Sequence, residues 1–426
     1  MGKLCTVRTD ILSGKYDKIF TLLYKDAEPA RKRYAEAIDS FAELYGSDRD
    51  IRLFSAPGRT EIGGNHTDHQ HGCVLAAAVD ADLIAVVSEN GENFVRVKSK
   101  GYNEDVVALD DLRVNEENAG KAKALIRGTL DAFSKKGRKL AGFDAYTTSN
   151  VLKGSGMSSS AAFEVLIGTI VNEMFNGGAE TAVSIAQMAQ YAENVHFGKP
   201  CGLMDQTASS VGGFIAIDFH DPKAPVVEKV DFDLESHGYC LCIVDAGGNH
   251  ADLTDDYADI TVEMRKVANA FGKDFLRDVD LGEFYGDLKK ARDAAGDRGV
   301  MRAMHFFADN ERAIREKDAL MKKSTDEFLR LVKESGDSSF MLLQNLYSPR
   351  SFNSQPLSLA IAVSKHILCG KGACRVHGGG FAGTIQAFVP LDMRDAFGKE
   401  ISKVFGEDAC HFLRIRPLGG TEIKCD

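Results

Sequence analysis

Apolar positions along this chain follow two periods, and the change from one to the other marks its elements. Over residues 1–48, Leu22, Leu23, Ala30, Tyr34, Ala37 and Phe41 recur among charges as stripes on two helices. Residues 51–56 alternate loosely and predict a strand that Pro57-Gly58 ends. Strands are predicted at 74–79, 83–88 and 94–97, then a helix over 120–136 and a strand over 143–148. A helix-forming run follows residue 160 and stops at Asn176-Gly177-Gly178. A second helix, roughly 180–197, places Ile185, Met188, Ala189 and Ala192 on one face, and 214–219 reads as a strand.

The second half is mixed. A buried strand is predicted at 239–245, helices at 253–271, 286–294, 300–317, 320–335 and 357–368, and strands at 373–377 and 384–389. A helix over 393–405 and a strand over 411–416 close the chain. Strands and helices alternate without a regular βαβ rhythm, which implies an α+β arrangement. The run Asp221-Pro-Lys-Ala-Pro225 is the candidate boundary between a first domain, 1–225, and a second, 226–426. Residues 1–48 are expected to pack as a helical extension on the outside of the first.

Composition narrows the class. The length of 426 residues exceeds one ordinary core, and 44% hydrophobic with 27% charged residues is typical of a soluble globular protein. A net charge of -10 argues against general nucleic-acid or anionic-membrane binding. The nine cysteines include no Cys-x-x-Cys pair, and Cys240 and Cys242 fall on one face of an apolar strand, so a reduced, cytoplasmic setting is expected. No run of 18 apolar residues occurs, and the N-terminus carries no apolar signal core.

The candidate chemistry gathers in glycine-rich polar segments. Gly154, Ser155, Gly156, Met157, Ser158, Ser159, Ser160 and Ala161 lead straight into a helix. Glycines admit close approach of a ligand, and a helix N-terminus offers unpaired N–H groups with partial positive charge, so the loop can cradle phosphate. It equally suits a serine cap after a flexible turn, and it lacks the Gly-Lys-Ser/Thr of a Walker loop. Two further segments, 58–72 and 378–383, share its character. His66, Asp68, His69 and His71 within the first of these also offer the residue types of a zinc site.

Four motifs in order resemble those of the GHMP small-molecule kinases, and within them the galactokinases. Ala56-Pro-Gly-Arg59 with His66-Thr-Asp68 resembles the sugar signature, and Gly156-Met-Ser-Ser-Ser-Ala161 the phosphate loop. Pro200-Cys-Gly-Leu-Met-Asp-Gln206 is similar to the catalytic segment, and Gly378-Gly-Gly-Phe381 to the third motif. The resemblance spans roughly 50–420 and implies a two-domain GHMP kinase fold. That fold has a ribosomal-protein S5-like N-terminal domain, an α/β C-terminal domain and an active site in the cleft between them.

The resemblance implies ATP-dependent phosphorylation of the anomeric hydroxyl of a galactose-type sugar. In that reading Asp205 takes the proton of the attacking hydroxyl and Arg59 lies beside it. Magnesium is assigned to Ser160, with Ser159 as its rival, and to Glu193. The sugar falls to Asn65, His66, Asp68, His69, Gly202 and Tyr257. ATP, magnesium and the sugar are the implied partners, with no nucleic acid or membrane, in a monomer or weak dimer.

The departures from the family pattern lie at the sugar. Asn65 stands where galactokinases have Glu, and His69 where they have Tyr. Asn bonds a hydroxyl without repelling a carboxylate, and Asp68-His69-Gln70 is similar to the matching stretch of plant galacturonate kinases, so galacturonate is a rival substrate. Some galactokinase relatives act as sugar and ATP sensors without catalysis. The complete serine run and Asp205 favour an active enzyme over that reading. Ala382 replaces a glycine of the third motif.

Overall fold

The computed structural model describes residues 2–151, 156–247, 253–381 and 383–425. Two sheets organise them. The larger consists of β1 (Gly2–Lys3), β2 (Asp50–Gly63), β3 (Cys73–Glu89), β4 (Phe94–Ser99), β5 (Glu104–Ala108), β6 (Phe143–Ser149), β7 (Phe214–Asp218) and β8 (Val226–Val230), with the late strand β13 (Thr421–Ile423). Its main path runs β1-β2-β3-β6-β4-β5, while β13 pairs with β2, and β7 joins β3 to β8. The smaller sheet is antiparallel and comprises β9 (Tyr239–Asp245), β10 (Ala373–Val376), β11 (Thr384–Pro390) and β12 (Cys410–Leu413), in the order β10-β11-β9-β12.

The helices of the first half are α1 (Leu4–Leu12), α2 (Asp17–Tyr24), α3 (Ala27–Tyr45), α4 (Ala122–Lys135), α5 (Ser159–Phe175), α6 (Ala182–Tyr191) and α7 (Met204–Val211). Those of the second are α8 (Thr254–Ala270), α9 (Leu281–Gly286), α10 (Leu288–Met321), α11 (Thr325–Ser338), α12 (Pro356–Leu368) and α13 (Arg394–Phe405). No described helix is long and apolar enough to cross a membrane.

Alternation along β2 and β3 explains the layers. Phe54, Ala85 and Val87 face a core shared with Leu125, Leu130, Val165 and Ile170 of α4 and α5. Their neighbours Leu53, Ile84 and Val86 face Val7, Phe20, Tyr34 and Phe41 of α1–α3. Both faces of the sheet are therefore buried, which is why these stretches read as nearly continuous apolar runs. The helical extension covers the outer face, as expected, but as three helices, and Leu22 points to solvent at 45% exposure. Helix α5 lies at the centre, buried on all sides from Ala161 to Asn172.

Several expectations change. Pro57-Gly58 does not end the first strand, because β2 absorbs the pair as an irregularity between Pro57 and Arg59 and continues to Gly63. The expected strands 74–79 and 83–88 are one strand, β3. The expected gap between helices 286–294 and 300–317 shrinks to one residue of α10, Gly296, whose φ of 71° departs from helix. The boundary drawn at 225 falls inside the β7–β8 hairpin, where Asp218 pairs with Val226. The Pro- and Asp-rich run there serves a tight reversal within the first sheet, not a linker. Strand β13 also carries the C-terminus back to β2, pairing Thr421 with Ser55. The core placement of Cys240 and Cys242 holds.

Candidate active site

Strand β2 delivers Arg59, the first turn of α7 delivers Asp205, and the segment entering α5 wraps both. Arg59 is 7% exposed and grips Asp205 with two parallel bonds, Nε to Oδ1 at 2.6 Å and Nη2 to Oδ2 at 2.7 Å. Its third nitrogen, Nη1, donates to the Gly156 carbonyl, and its backbone N–H to the Met157 carbonyl at 3.1 Å. Burial alone pushes the Asp205 carboxyl up. The charge and hydrogen bonds of Arg59, with a bond from Ser158, outweigh burial and hold it below the usual carboxylate range.

Helix α5 starts at Ser159, after Ser158 in a left-handed conformation with φ of 53°. Gly156 and Met157 therefore lie against Arg59, and Ser158 against Asp205. A Cβ on Gly156 would come within 3.1 Å of His377 Nδ1, so the end of β10 reaches the same loop. Gly154 and Ser155, with Ala382 of the third motif, lie outside the described residues.

Glu193 follows α6 in one widened π-helical turn, Ala192–Phe197, and is 3% exposed. Its Oε1 accepts from the Ser160 hydroxyl at 3.2 Å and its Oε2 from Gln206 Nε2 at 2.8 Å. Lys199 Nζ stands 3.8 Å from Oε1. The structure thus brings together the two residues assigned to magnesium. It adds two that the sequence reading missed, Gln206 and the fully buried Glu164. Burial and then the charge of Glu193 push the Glu164 carboxyl well above the usual carboxylate range. Gln206 was within reach of sequence reasoning as the neighbour of Asp205; Glu164 reads as one more position of an apolar helix.

The sugar signature splits into two groups. Asp68 lies against Gly202, where a Cβ would meet Asp68 Oδ2 at 2.5 Å, so only glycine permits this approach. The charge of Asp68 also reaches Arg59. His69 caps Asp68 Oδ1 with its backbone N–H at 3.0 Å, while its ring stays exposed with Nε2 3.9 Å from the same oxygen. His66 and Tyr257 instead hold the glycine-rich turn after β10. His66 Nε2 donates to the Gly379 carbonyl at 2.9 Å, and the Tyr257 hydroxyl to the Gly380 carbonyl at 3.0 Å. Burial, and then His69, push His66 down to about 3, so its ring is neutral.

Asn65 departs from its expected role. The amide is fully buried, and each of its atoms is spent on protein. Nδ2 donates to Glu61 Oε1 at 2.9 Å and to the Gly378 carbonyl at 2.7 Å, while Oδ1 accepts from Asn345 at 2.8 Å and Ser339 at 3.3 Å. Its backbone is held too, N–H by Asp309 at 2.8 Å and carbonyl by His305 at 3.0 Å. The side chain thus clamps the signature loop to the glycine-rich turn and has no capacity left for a sugar hydroxyl. Asn65→Glu is therefore expected to destabilise the protein rather than retune it. It sets a second buried carboxylate against Glu61 and the Gly378 carbonyl, a loss of roughly 3 kcal/mol or more. Equilibrium denaturant unfolding checks this, and a midpoint equal to that of the unaltered protein would contradict the clamp.

The zinc arrangement does not form. His66 bonds Gly379, whereas the His71 ring stacks on Phe275 with centroids 3.6 Å apart. Among the described residues no group of three or more His, Cys, Asp or Glu is placed to hold a metal ion.

Known proteins share both segments and fold with this chain. Residues 39–89 match the family model described as the galactokinase galactose-binding signature, and residues 124–213 match the GHMP kinases N-terminal domain. The fold superposes on a crystal structure of Methanococcus jannaschii mevalonate kinase with a TM-score of 0.61, at 15% identity over 86% of this chain and 98% of that one. It superposes on Lactococcus lactis galactokinase complexed with galactose with a TM-score of 0.76, at 20% identity over 90% of this chain and 98% of that one. Architecture and matched segments together define the two-domain α+β fold of the GHMP kinases. A galactokinase of Streptomyces coelicolor is 31% identical over 375 residues, 86% of this chain and 92% of its own length. The chain belongs to the galactokinase family.

Proposed function

We propose that the protein transfers the γ-phosphoryl group of ATP to the anomeric hydroxyl of galactose, giving galactose 1-phosphate and ADP. The observation that carries this reading is the bidentate Arg59–Asp205 pair set directly against Gly156 and Met157 of the phosphate loop. Phosphoryl transfer needs positioning and charge neutralisation more than covalent help. Asp205, kept ionised by Arg59, accepts the hydroxyl hydrogen and aligns the oxygen for attack. As the new O–P bond forms and the bond to the β-phosphate bridging oxygen breaks, the proton passes to Asp205. Arg59 stabilises charge on the moving group. Asp68 and the Gly202 backbone bind sugar hydroxyls, with His69 at the rim.

The residues assigned to magnesium suit it: a hydroxyl and a carboxylate are hard oxygen donors, and Ser160 and Glu193 lie within 3.2 Å of each other. A bound ion supplies neutralisation of the triphosphate. Gln206 holds the Glu193 carboxylate from behind at 2.8 Å and is itself bonded to Glu164 at 3.4 Å. We assign residues 1–225 together with β8 and β13 to the sugar and phosphate lobe, and the remainder to the lobe that closes on the nucleotide in a cytoplasmic monomer or weak dimer.

The test is ADP release with a panel of neutral hexoses and uronic acids. Galactose-dependent turnover is expected. No ADP release above the sugar-free rate with any sugar would support the sensor reading instead, and preference for galacturonate would establish the rival substrate. The case for galacturonate is weaker than the sequence made it, because Asn65 is committed to the protein.

A further inference from the structure

The carboxylate missing at position 65 is present four residues earlier. Glu61 projects from the same face of β2 as Arg59, two positions away, and is 5% exposed. One oxygen, Oε1, is held by Arg375 Nη2 at 2.6 Å and by Asn65 Nδ2 at 2.9 Å. Arg375 is itself fully buried and anchored on the Ile62 carbonyl at 2.6 Å. Among the described residues, Oε2 of Glu61 accepts no hydrogen bond, yet it is not sealed from solvent as the unpartnered oxygens of Glu316 are. The charges of Asp68 and Arg59 both act on the Glu61 carboxyl. One oxygen is therefore locked by the protein, and the other is left without a bond among the described residues, on the strand that also carries Arg59 and within the electrostatic reach of Asp68.

Resting on the function proposed above, we infer that Glu61 is a substrate-binding residue whose free oxygen accepts a sugar hydroxyl and whose charge selects neutral hexoses over uronic acids. The arrangement is a built one. Arg375 and Asn65 fix the carboxylate plane, so little side-chain freedom is lost when sugar binds. A hydroxyl donor satisfies Oε2, whereas the carboxylate of a uronic acid meets like charge from both Glu61 and Asp68. Sequence reading passed over Glu61 because a single acidic residue inside a strand carries no motif.

The groups around Glu61 give it a pH signature. Burial pushes its carboxyl up to about 7; Arg375 opposes this, Asp68 adds to it, and Asn65 and Arg59 oppose it. Glu316, buried on α10, carries a further repulsive interaction with Glu61. The ionised form is the better acceptor, so KM for the sugar should fall as pH rises through about 7.

The experiment compares full-length protein with Glu61→Gln, which keeps shape and the bond to Asn65. For the neutral hexose turned over best, KM should rise about tenfold in Glu61→Gln, with KM for ATP unchanged and kcat within about threefold. The pH dependence of sugar KM should disappear. Turnover of galacturonate relative to galactose should rise. Direct sugar titration by calorimetry, with no ATP present, should show the same loss of affinity, and equal melting temperatures would separate it from misfolding. Sugar KM within twofold of the unaltered protein, or a pH dependence that survives in Glu61→Gln, would overturn the assignment. So would a preference of the unaltered protein for a uronic acid. Absence of turnover together with galactose binding weakened in Glu61→Gln would retire the kinase reading and leave the Glu61 site standing.

Discussion

Asp205→Asn should lower kcat by about a hundredfold to ten-thousandfold while the protein stays folded and binds sugar. The substitution preserves the shape of the side chain at the start of α7 and leaves one oxygen for Arg59. It removes the acceptor for the hydroxyl proton, and an amide cannot take that proton near neutral pH. Arg59 keeps its bonds to the Gly156 and Met157 carbonyls, so the phosphate loop should hold its position. The measurement is sugar-dependent ADP release at saturating ATP, with calorimetric sugar titration alongside. Turnover within threefold of the unaltered protein would remove Asp205 from the chemistry. Loss of sugar binding as well would make it a structural partner of Arg59.

Asp82→Ala should cost roughly 3–5 kcal/mol of stability, because it leaves buried guanidinium groups without their counter-ion. Asp82 is fully buried, and four side chains converge on it. Arg33 donates to Oδ1 at 2.5 Å, and Arg416 and Tyr24 to Oδ2 at 2.9 Å and 2.5 Å, with Ser55 bonded to the same oxygen. Burial pushes this carboxyl up, but the two arginines and the hydroxyls outweigh it and hold it low. Its folded pKa thus lies below the unfolded one, so its contribution is present above the ordinary carboxylate range and is lost as pH falls through the lower folded value. The network joins α2 and α3 to β3 and to the segment before β13. The N-terminal extension is consequently part of the core structure. Thermal and urea unfolding of Asp82→Ala should show the loss at neutral pH. An unchanged urea midpoint would mean that the extension is held by its apolar contacts alone.

The identity of the site was legible because its residues come as short contiguous runs. Arg59, Gly156 to Ala161, and Asp205 follow one another in a recognisable order, and the structure gathers them as that order implied. The extension was also legible: its helical stripe needs an apolar face to cover, and β2 and β3 provide one on alternate residues. The course of β2 through Pro57-Gly58 was not, since local turn chemistry was overridden by pairing with β3 on both sides of the irregularity. The run at 219–225 reads as a linker for a related reason: Pro and Asp are the residue types of hairpin loops and of domain boundaries alike, and only the pairing of Asp218 with Val226 distinguishes them.

What the sequence by itself determined was the family, the order of the motifs and the candidate pair Arg59 and Asp205, because local runs encode backbone turns and specific side chains. What only the tertiary structure decided was how the sugar end is shared out. Asn65 and Glu61 sit four residues apart, and nothing in their spacing says which of them is spent on protein. That choice is made by Arg375, Asn345 and Gly378, 280 to 314 residues further along the chain, which take up the amide and one carboxylate oxygen and leave the other oxygen without a bond among the described residues. Hydrogen-bond capacity is filled by neighbours in space, and those neighbours exist only once the second sheet has closed on the first.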